Sequence, residues 1–306
     1  MITRRSLIAA SAALAASPVL AQSWKSAYPE LTFAIVPAEN ASGVVDRWTP
    51  FLAYLSKEIG TKVVLRVAND YAAVIEGQRS GNVQIANYGA ASFARARITG
   101  VKTEAVLLDL NGDGSTGYHS VFYVLATSPY KSIADLKGKN LGLVDPNSTS
   151  GNNVPRFMLN EMKLKPEDYF AKVVFTGSHE NAVIALSQGQ VDVCANAWTA
   201  EDNSTLTQML TKGMLKHSDG TAMKYADFRI IAKSPAILNG PYALLETLPA
   251  DLSSAIKAAF LAAPAKAKAE FVRLSDGKNK GFKETTTAEY DGVVGLVKFV
   301  DTLRKA

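Results

Sequence analysis

Short apolar runs and runs with helical spacing alternate along this chain. "LTFAIVP" (31–37) is a β-rich apolar run that stops at a proline. "RWTPFLAYLSKEIG" follows, with Trp48, Phe51, Leu52, Leu55 and Ile59 at helical intervals and Gly60 as a stop signal. The order then repeats: "KVVLRVA" as a strand, "YAAVIEGQRSG" as a helix, "VQIANYG" as a strand and "AASFARARITG" as a helix. "TEAVLLDL" and "HSVFYVLAT" read as two further strands. A β-α-β-α order predicts mostly parallel sheets with helices on both faces.

A second unit of the same kind begins near Ser132. "KNLGLVD", "AKVVFTG" and "VDVCANA" read as strands, with helices after the first and over "HENAVIALSQGQ". "FRIIAKSP" (228–235) is extended, "LPADLSSAIKAAFLAA" opens a helix with Pro249 and Asp251, and "AEYDGVVGLVKFVDTLRKA" is a closing helix with a wide apolar face. Core packing explains that face better than dimerisation does. "VFYVLATSP" and "RIIAKSP" resemble each other and bracket the second unit. They read as two hinge strands, giving an α/β protein of two lobes, each a mixed, mostly parallel sheet flanked by helices. The expected boundaries are 22–124 plus 233–306 for the first lobe and 125–232 for the second. A ligand then belongs in the cleft, at the carboxyl ends of strands.

The first 21 residues, "MITRRSLIAASAALAASPVLA", have a charged start, an alanine-rich apolar run and small residues before Gln22. That is the pattern of a secretory signal peptide, with a twin-arginine pair at Arg4 and Arg5. It predicts an exported, periplasmic protein cleaved near Ala21. The single cysteine, Cys194, excludes an internal disulfide, and its small and apolar neighbours predict a buried, inert thiol. The formal net charge of +5 is spread thinly, with no basic block interleaved with aromatics, so nucleic acid is not an expected partner. His119, His179 and His217 are scattered, and no metal or other cofactor is expected. Neither a Gly-x-Ser-x-Gly elbow nor a His-Glu-x-x-His motif is present, which argues against an enzyme.

The stretch with the clearest chemistry is "DPNSTSG" (145–151), where a strand gives way to a helix. The first amides of a helix lack intrahelical acceptors, and the helix dipole makes that end positive. An anion placed there collects several N–H bonds at once. Ser148, Thr149 and Ser150 add rotatable donors without adding charge. Gly151 permits close backbone approach, and Pro155 requires the helix to start near Gly151 or Asn152. Helix capping alone needs one hydroxyl, so three in a row favour an anion site for a tetrahedral oxyanion.

"DPNSTSG" with "VP" after it, "GSHENAV" (177–183), "VDVCAN" (191–196), "DYAAVIEGQRSGNVQIANYG" and "GSTGYHSVFYV" together resemble the phosphonate-binding proteins of ABC importers. The resemblance runs from about residue 31 to residue 240. It implies a type II periplasmic binding protein that closes on a phosphonate and delivers it to permease and ATPase subunits. By the same resemblance Ser148, Thr149 and Ser150 hold the phosphonate oxygens and His179 donates a further bond. Tyr71 and Tyr88 line the opposite lobe, with the Tyr88 hydroxyl aimed at the anion. Members that take 2-aminoethylphosphonate hold its ammonium with two carboxylates, and Thr199 and Asn239 or Gly240 stand at those places here. Asp202 and Glu201 can substitute only through a loop shift, and Trp198 offers an aromatic face in the same loop. The expected ligand is therefore methylphosphonate or phosphite, with 2-aminoethylphosphonate next, bound by a monomer or weak dimer. A sensor subunit with the same cleft, or an enzyme on the same fold, are the alternatives.

Overall fold

The computed structural model describes residues 23–305. The signal-peptide reading therefore lies outside the described residues. The strands, in chain order, are β1 (Glu30–Ile35), β2 (Lys62–Val67), β3 (Ile85–Asn87), β4 (Thr103–Asn111), β5 (Gly117–Leu125), β6 (Asn140–Leu143), β7 (Lys172–Phe175), β8 (Val193–Ala200), β9 (Asn203–Ser204), β10 (Phe228–Lys233), β11 (Ile237–Leu238), β12 (Pro241–Leu245) and β13 (Asn279–Glu284). The helices are α1 (Ala41–Ile59), α2 (Tyr71–Arg79), α3 (Ala90–Ile98), α4 (Val154–Glu161), α5 (Pro166–Tyr169), α6 (His179–Ser187), α7 (Thr205–Thr211), α8 (Ala250–Lys266), α9 (Lys268–Leu274) and α10 (Asp291–Lys305).

Two sheets form. The first has the order β13-β4-β12-β3-β1-β2 and the second β10-β5-β8-β6-β7, with β11 and β9 attached to β5 and β8. In each, a parallel core (β2-β1-β3 and β7-β6-β8) is extended on one side by antiparallel pairing, through β12 and β4 in the first sheet and β5 and β10 in the second. Strand β1 buries Leu31 and Phe33 on one face and Ala34 on the other, as parallel strands covered by helices do. Helix α1 turns Trp48, Phe51, Leu55 and Ile59 inward, and Trp48 stacks on Phe33 with centroids 4.6 Å apart. Phe260 of α8 and Phe282 of β13 complete that core. The second lobe has its own core around Phe122, Leu141, Leu143, Leu159 and Val193. A third cluster is contiguous across the cleft, holding Tyr71, Tyr88 and Phe93 of one lobe with Val121, Val144 and Val183 of the other. Cys194 is fully buried in that cluster, and burial pushes its thiol pKa up. In the closing helix α10, Val297 and Val300 are buried, Val297 in a small cluster with Ala91 and Ala94 of α3.

The expected lobe boundaries need a correction. Strand β5 lies wholly in the second sheet, paired from His119 with β8 and from Val121 with β10, so the first crossing falls at residues 112–116 rather than at 124. The Ser128-Pro129 end of the supposed hinge strand is at the far end of β5, inside the second lobe. The return crossing falls at 239–240, after β11 rather than at 233. Alternating hydrophobicity marks a strand but does not say which of two sheets it joins. The two crossings are tied together, the Asn239 amide donating to the Thr116 carbonyl at 2.9 Å. A Cβ on Gly240 would lie 1.8 Å from the Tyr88 carbonyl oxygen, so only glycine passes there.

Candidate anion-binding cleft

The "DPNSTSG" loop leaves the end of β6 and enters α4 through a single π-helical turn, Thr149–Asn153. Such turns recur at functional sites. The helical path begins two residues before the place Pro155 suggested, and Pro155 sits in the first turn of α4, where its missing N–H costs nothing. Ser148 caps the turn, its hydroxyl accepting from the Gly151 amide at 3.1 Å. A Cβ on Gly151 would meet the Val144 side chain at 2.3 Å, which explains the glycine. Ser148, Thr149 and Ser150 are all buried, at 1%, 2% and 1% exposure, so these hydroxyls do not face bulk water.

The opposite lobe closes on this loop. Helix α3 starts at Gly89, which has no side chain to cap it, and the Ala91 amide instead donates to Thr149 Oγ1 at 2.8 Å. The buried Tyr71, at the start of α2, turns its hydroxyl toward Ser148. Burial raises the pKa of that phenol well above its ordinary value, so it is a neutral donor at any physiological pH. Tyr118 of β5 presents its hydroxyl to both Ser150 and Thr149, and burial raises its pKa as well.

His179 stands at the first position of α6, one residue after the Ser178 cap. The chain before it is bound to the end of β6 and the start of the loop, Thr176 and Gly177 donating to the carbonyls of Leu143 and Val144 at 2.8 Å. Its ring is buried, and Nδ1 has no partner among the described residues. Desolvation lowers its pKa to about 4, so the imidazole is neutral and offers one N–H. The His179 amide donates across the cleft to the Ala38 carbonyl at 3.0 Å. Beside it, the buried Glu180 carboxylate accepts from the backbone and side-chain amides of Asn40 at 2.8 and 2.7 Å. These bonds, with Thr149 to Ala91, hold the lobes in a closed arrangement.

Two expected site residues, Trp198 and Asp202, lie elsewhere, and Tyr88 lines the polar cavity beside the loop without pointing its hydroxyl at the turn. Tyr88 is buried in the first lobe, and its hydroxyl approaches the Val74 carbonyl of α2 at 3.4 Å rather than the loop. Trp198 packs against the cluster that spans the two lobes and does not line the polar cavity. Its Nε1 meets the Tyr225 hydroxyl at 3.3 Å, its ring packs on His119, and Lys233 Nζ lies 4.8 Å over it. Asp202 is exposed and paired with Lys278 at 2.9 Å. Residues the sequence reading missed include Tyr118, visible only inside the quoted "GYHSV", and Asp109, an acid within the apolar run "VLLDL". Asp109 lines a polar cavity next to the loop and accepts from the Tyr242 hydroxyl at 3.1 Å. Burial raises its pKa to about 6. The described residues contain no cluster of metal-ligating side chains and no helix long and apolar enough to cross a membrane.

Two sheets of this strand order, two crossings and a closed interlobe cleft define a type II periplasmic binding protein. The family described as "ABC transporter, phosphonate, periplasmic substrate-binding protein" matches residues 33–290, and the chain belongs to it. The phosphate-import protein PhnD of Mycolicibacterium smegmatis is 31% identical over 288 residues, covering 87% of this chain and 84% of that one. The phosphonates-binding periplasmic protein of Escherichia coli is 33% identical over 215 residues, covering 69% and 59%. A binding component of an ABC phosphonate transporter from Pseudomonas aeruginosa superposes with a TM-score of 0.78 at 26% identity, over 90% of this chain and 88% of that one. The Prochlorococcus marinus PhnD1 structure with methylphosphonate shares the fold, with a TM-score of 0.74 at 18% identity over 89% and 98%.

Proposed function

We propose that this protein captures a small phosphorus oxyanion, a phosphonate without an amine or phosphite, at the Ser148–Ser150 turn and delivers it to the permease and ATPase of an ABC importer. One observation carries the reading. Three buried hydroxyls at a helix start meet Tyr71 and Tyr118 from two other elements. Donors that converge from three elements suit a ligand with several acceptor oxygens. His179 supplies a further N–H at the same seam as a neutral donor. The ligand then replaces water on both lobes at once, and closure follows from its contacts to both.

The preference for an amine-free ligand is supported by Thr199 and Asn239, which are neutral, and by the engagement of the one acid of that cavity, Asp109, with the Tyr242 hydroxyl and Asn279. Asp202 is held by Lys278 and adds no charge there. A calorimetric series with phosphate, phosphite, methylphosphonate and 2-aminoethylphosphonate tests this. Methylphosphonate or phosphite should bind tightest, and clearly tighter 2-aminoethylphosphonate binding would defeat the preference. Binding of none of the four compounds would sink the oxyanion reading itself.

A further inference from the structure

Beyond Tyr118, the cleft opens into a cavity of ≈ 210 Å³, and a second of ≈ 190 Å³ adjoins it. The two share Asn87, Asp109, Asn203 and Asn279. Asn111, Asn239, Thr199 and Tyr118 are among the other residues of the first, whose lining is almost wholly polar. Asn203, Thr199 and Tyr118 come from the second lobe and the asparagines and Asp109 otherwise from the first, so the chamber, like the anion turn, is assembled by both lobes. A methyl group on phosphorus leaves such a chamber empty of any partner for these side chains.

Asn239 Nδ2 donates to the Asp109 carbonyl at 2.9 Å and to Asn111 Oδ1 at 3.2 Å. Asn111 Nδ2 is used by Ser115 and by the Gly117 carbonyl. Asn279 is a hydrogen-bond neighbour of the Asp109 carboxylate. Asn87 and Asn203 are half-buried, so their side-chain amides reach the open space of both cavities.

The geometry points to a second subsite in this chamber that takes a hydroxyl-bearing substituent on the phosphorus, so that the ligand is a hydroxyalkyl phosphonate. This rests on the oxyanion reading above. The chemistry of the lining selects the substituent. The side-chain amides of Asn87 and Asn203 carry both donors and an acceptor, and a hydroxyl both donates and accepts. An ammonium only donates and would leave the NH₂ groups of those two amides without an acceptor. A carboxylate only accepts and would face Asp109, while Arg47 and Lys278, the cations lining the second cavity, are already paired with Glu39 and Asp202. An apolar substituent would strip water from every one of these groups without replacing a bond.

Titration calorimetry of the purified protein with methylphosphonate, ethylphosphonate, 2-hydroxyethylphosphonate and 2-aminoethylphosphonate is the test. 2-Hydroxyethylphosphonate should bind about tenfold or more tighter than ethylphosphonate, because sites built around a hydroxyl reject analogues that lack it. Asn203→Ala should shrink that ratio. Equal or tighter binding of ethylphosphonate overturns the subsite while leaving the oxyanion reading standing. Tightest binding of the amine, abolished by Asp109→Asn, overturns it in favour of a cation site. Binding of none of the four overturns both.

Discussion

The two ends of the cleft are built in opposite ways. The anion end comes mostly from seven consecutive residues, 145–151, with one self-capping turn and a glycine fitted against Val144. The chamber comes from residues scattered over β3, β4, β9, the return crossing and β13. A contiguous turn holds its shape within one lobe, so it can bind before the lobes meet. A wall drawn from both lobes is complete only when they have met. The first is suited to affinity and the second to discrimination, and the predictions separate the two.

Thr149 should show the largest effect, because its hydroxyl serves both sides of the cleft. It lies in the anion turn and caps α3 through Ala91. Thr149→Val removes a charge-assisted bond and a helix cap, about 2–4 kcal/mol of the liganded closed state together. Affinity for methylphosphonate should fall roughly thirty- to several-hundred-fold. A change of only a few-fold would mean that the turn binds through its amides alone.

His179 comes next and is read by pH. In the unfolded chain the imidazole takes a proton below about pH 6.5, whereas the buried ring stays neutral down to about pH 4. The unfolded state therefore binds more protons in that window, and unliganded stability falls as pH drops from 6.5 toward 4. The contribution is at most roughly 3 kcal/mol. Denaturant titrations of the parent and His179→Asn should diverge above pH 6 and converge toward pH 4. Parallel curves would place the ring in water. Ser150→Ala follows, weakening the same ligand by roughly 1–3 kcal/mol with little change in the free protein's melting temperature.

The same contrast governs what could be read from the sequence. The strand–helix alternation, α1 with its aromatic stripe and the hydroxyl turn were all legible, because each is encoded in consecutive residues. Strand β13 ("NKGFKE") and helix α7 ("TLTQMLT") were not, being short and mostly polar. Neither was the sheet to which β5 belongs, which depends on pairing with β8 and β10. The tyrosines show the limit most clearly. Tyr71 and Tyr88 looked equivalent as residues, yet Tyr71 begins α2 and meets Ser148, whereas Tyr88 follows β3 and turns back to Val74. Tyr118 was hidden beside them because its role appears only when β5 is placed next to the turn. Asp109 was hidden for the same reason, its carboxylate reaching the chamber only through the packing of β4 beside β12.

Asp202 should show the smallest effect and is the sharpest test of where the chamber ends. With Glu201 it is one of the two acids that follow Thr199 in the sequence, and Lys278 from the other lobe holds it at the rim. An exposed pair of that kind gives up little when broken, since water and salt replace it. Asp202→Asn should therefore leave the affinity for both methylphosphonate and 2-hydroxyethylphosphonate unchanged within error, at low and at high salt. If it instead weakens the hydroxylated ligand alone, the loop carrying Asp202 folds inward when the ligand binds. The wall of the chamber would then run past Asn203 to the very residue that Lys278 holds outside it.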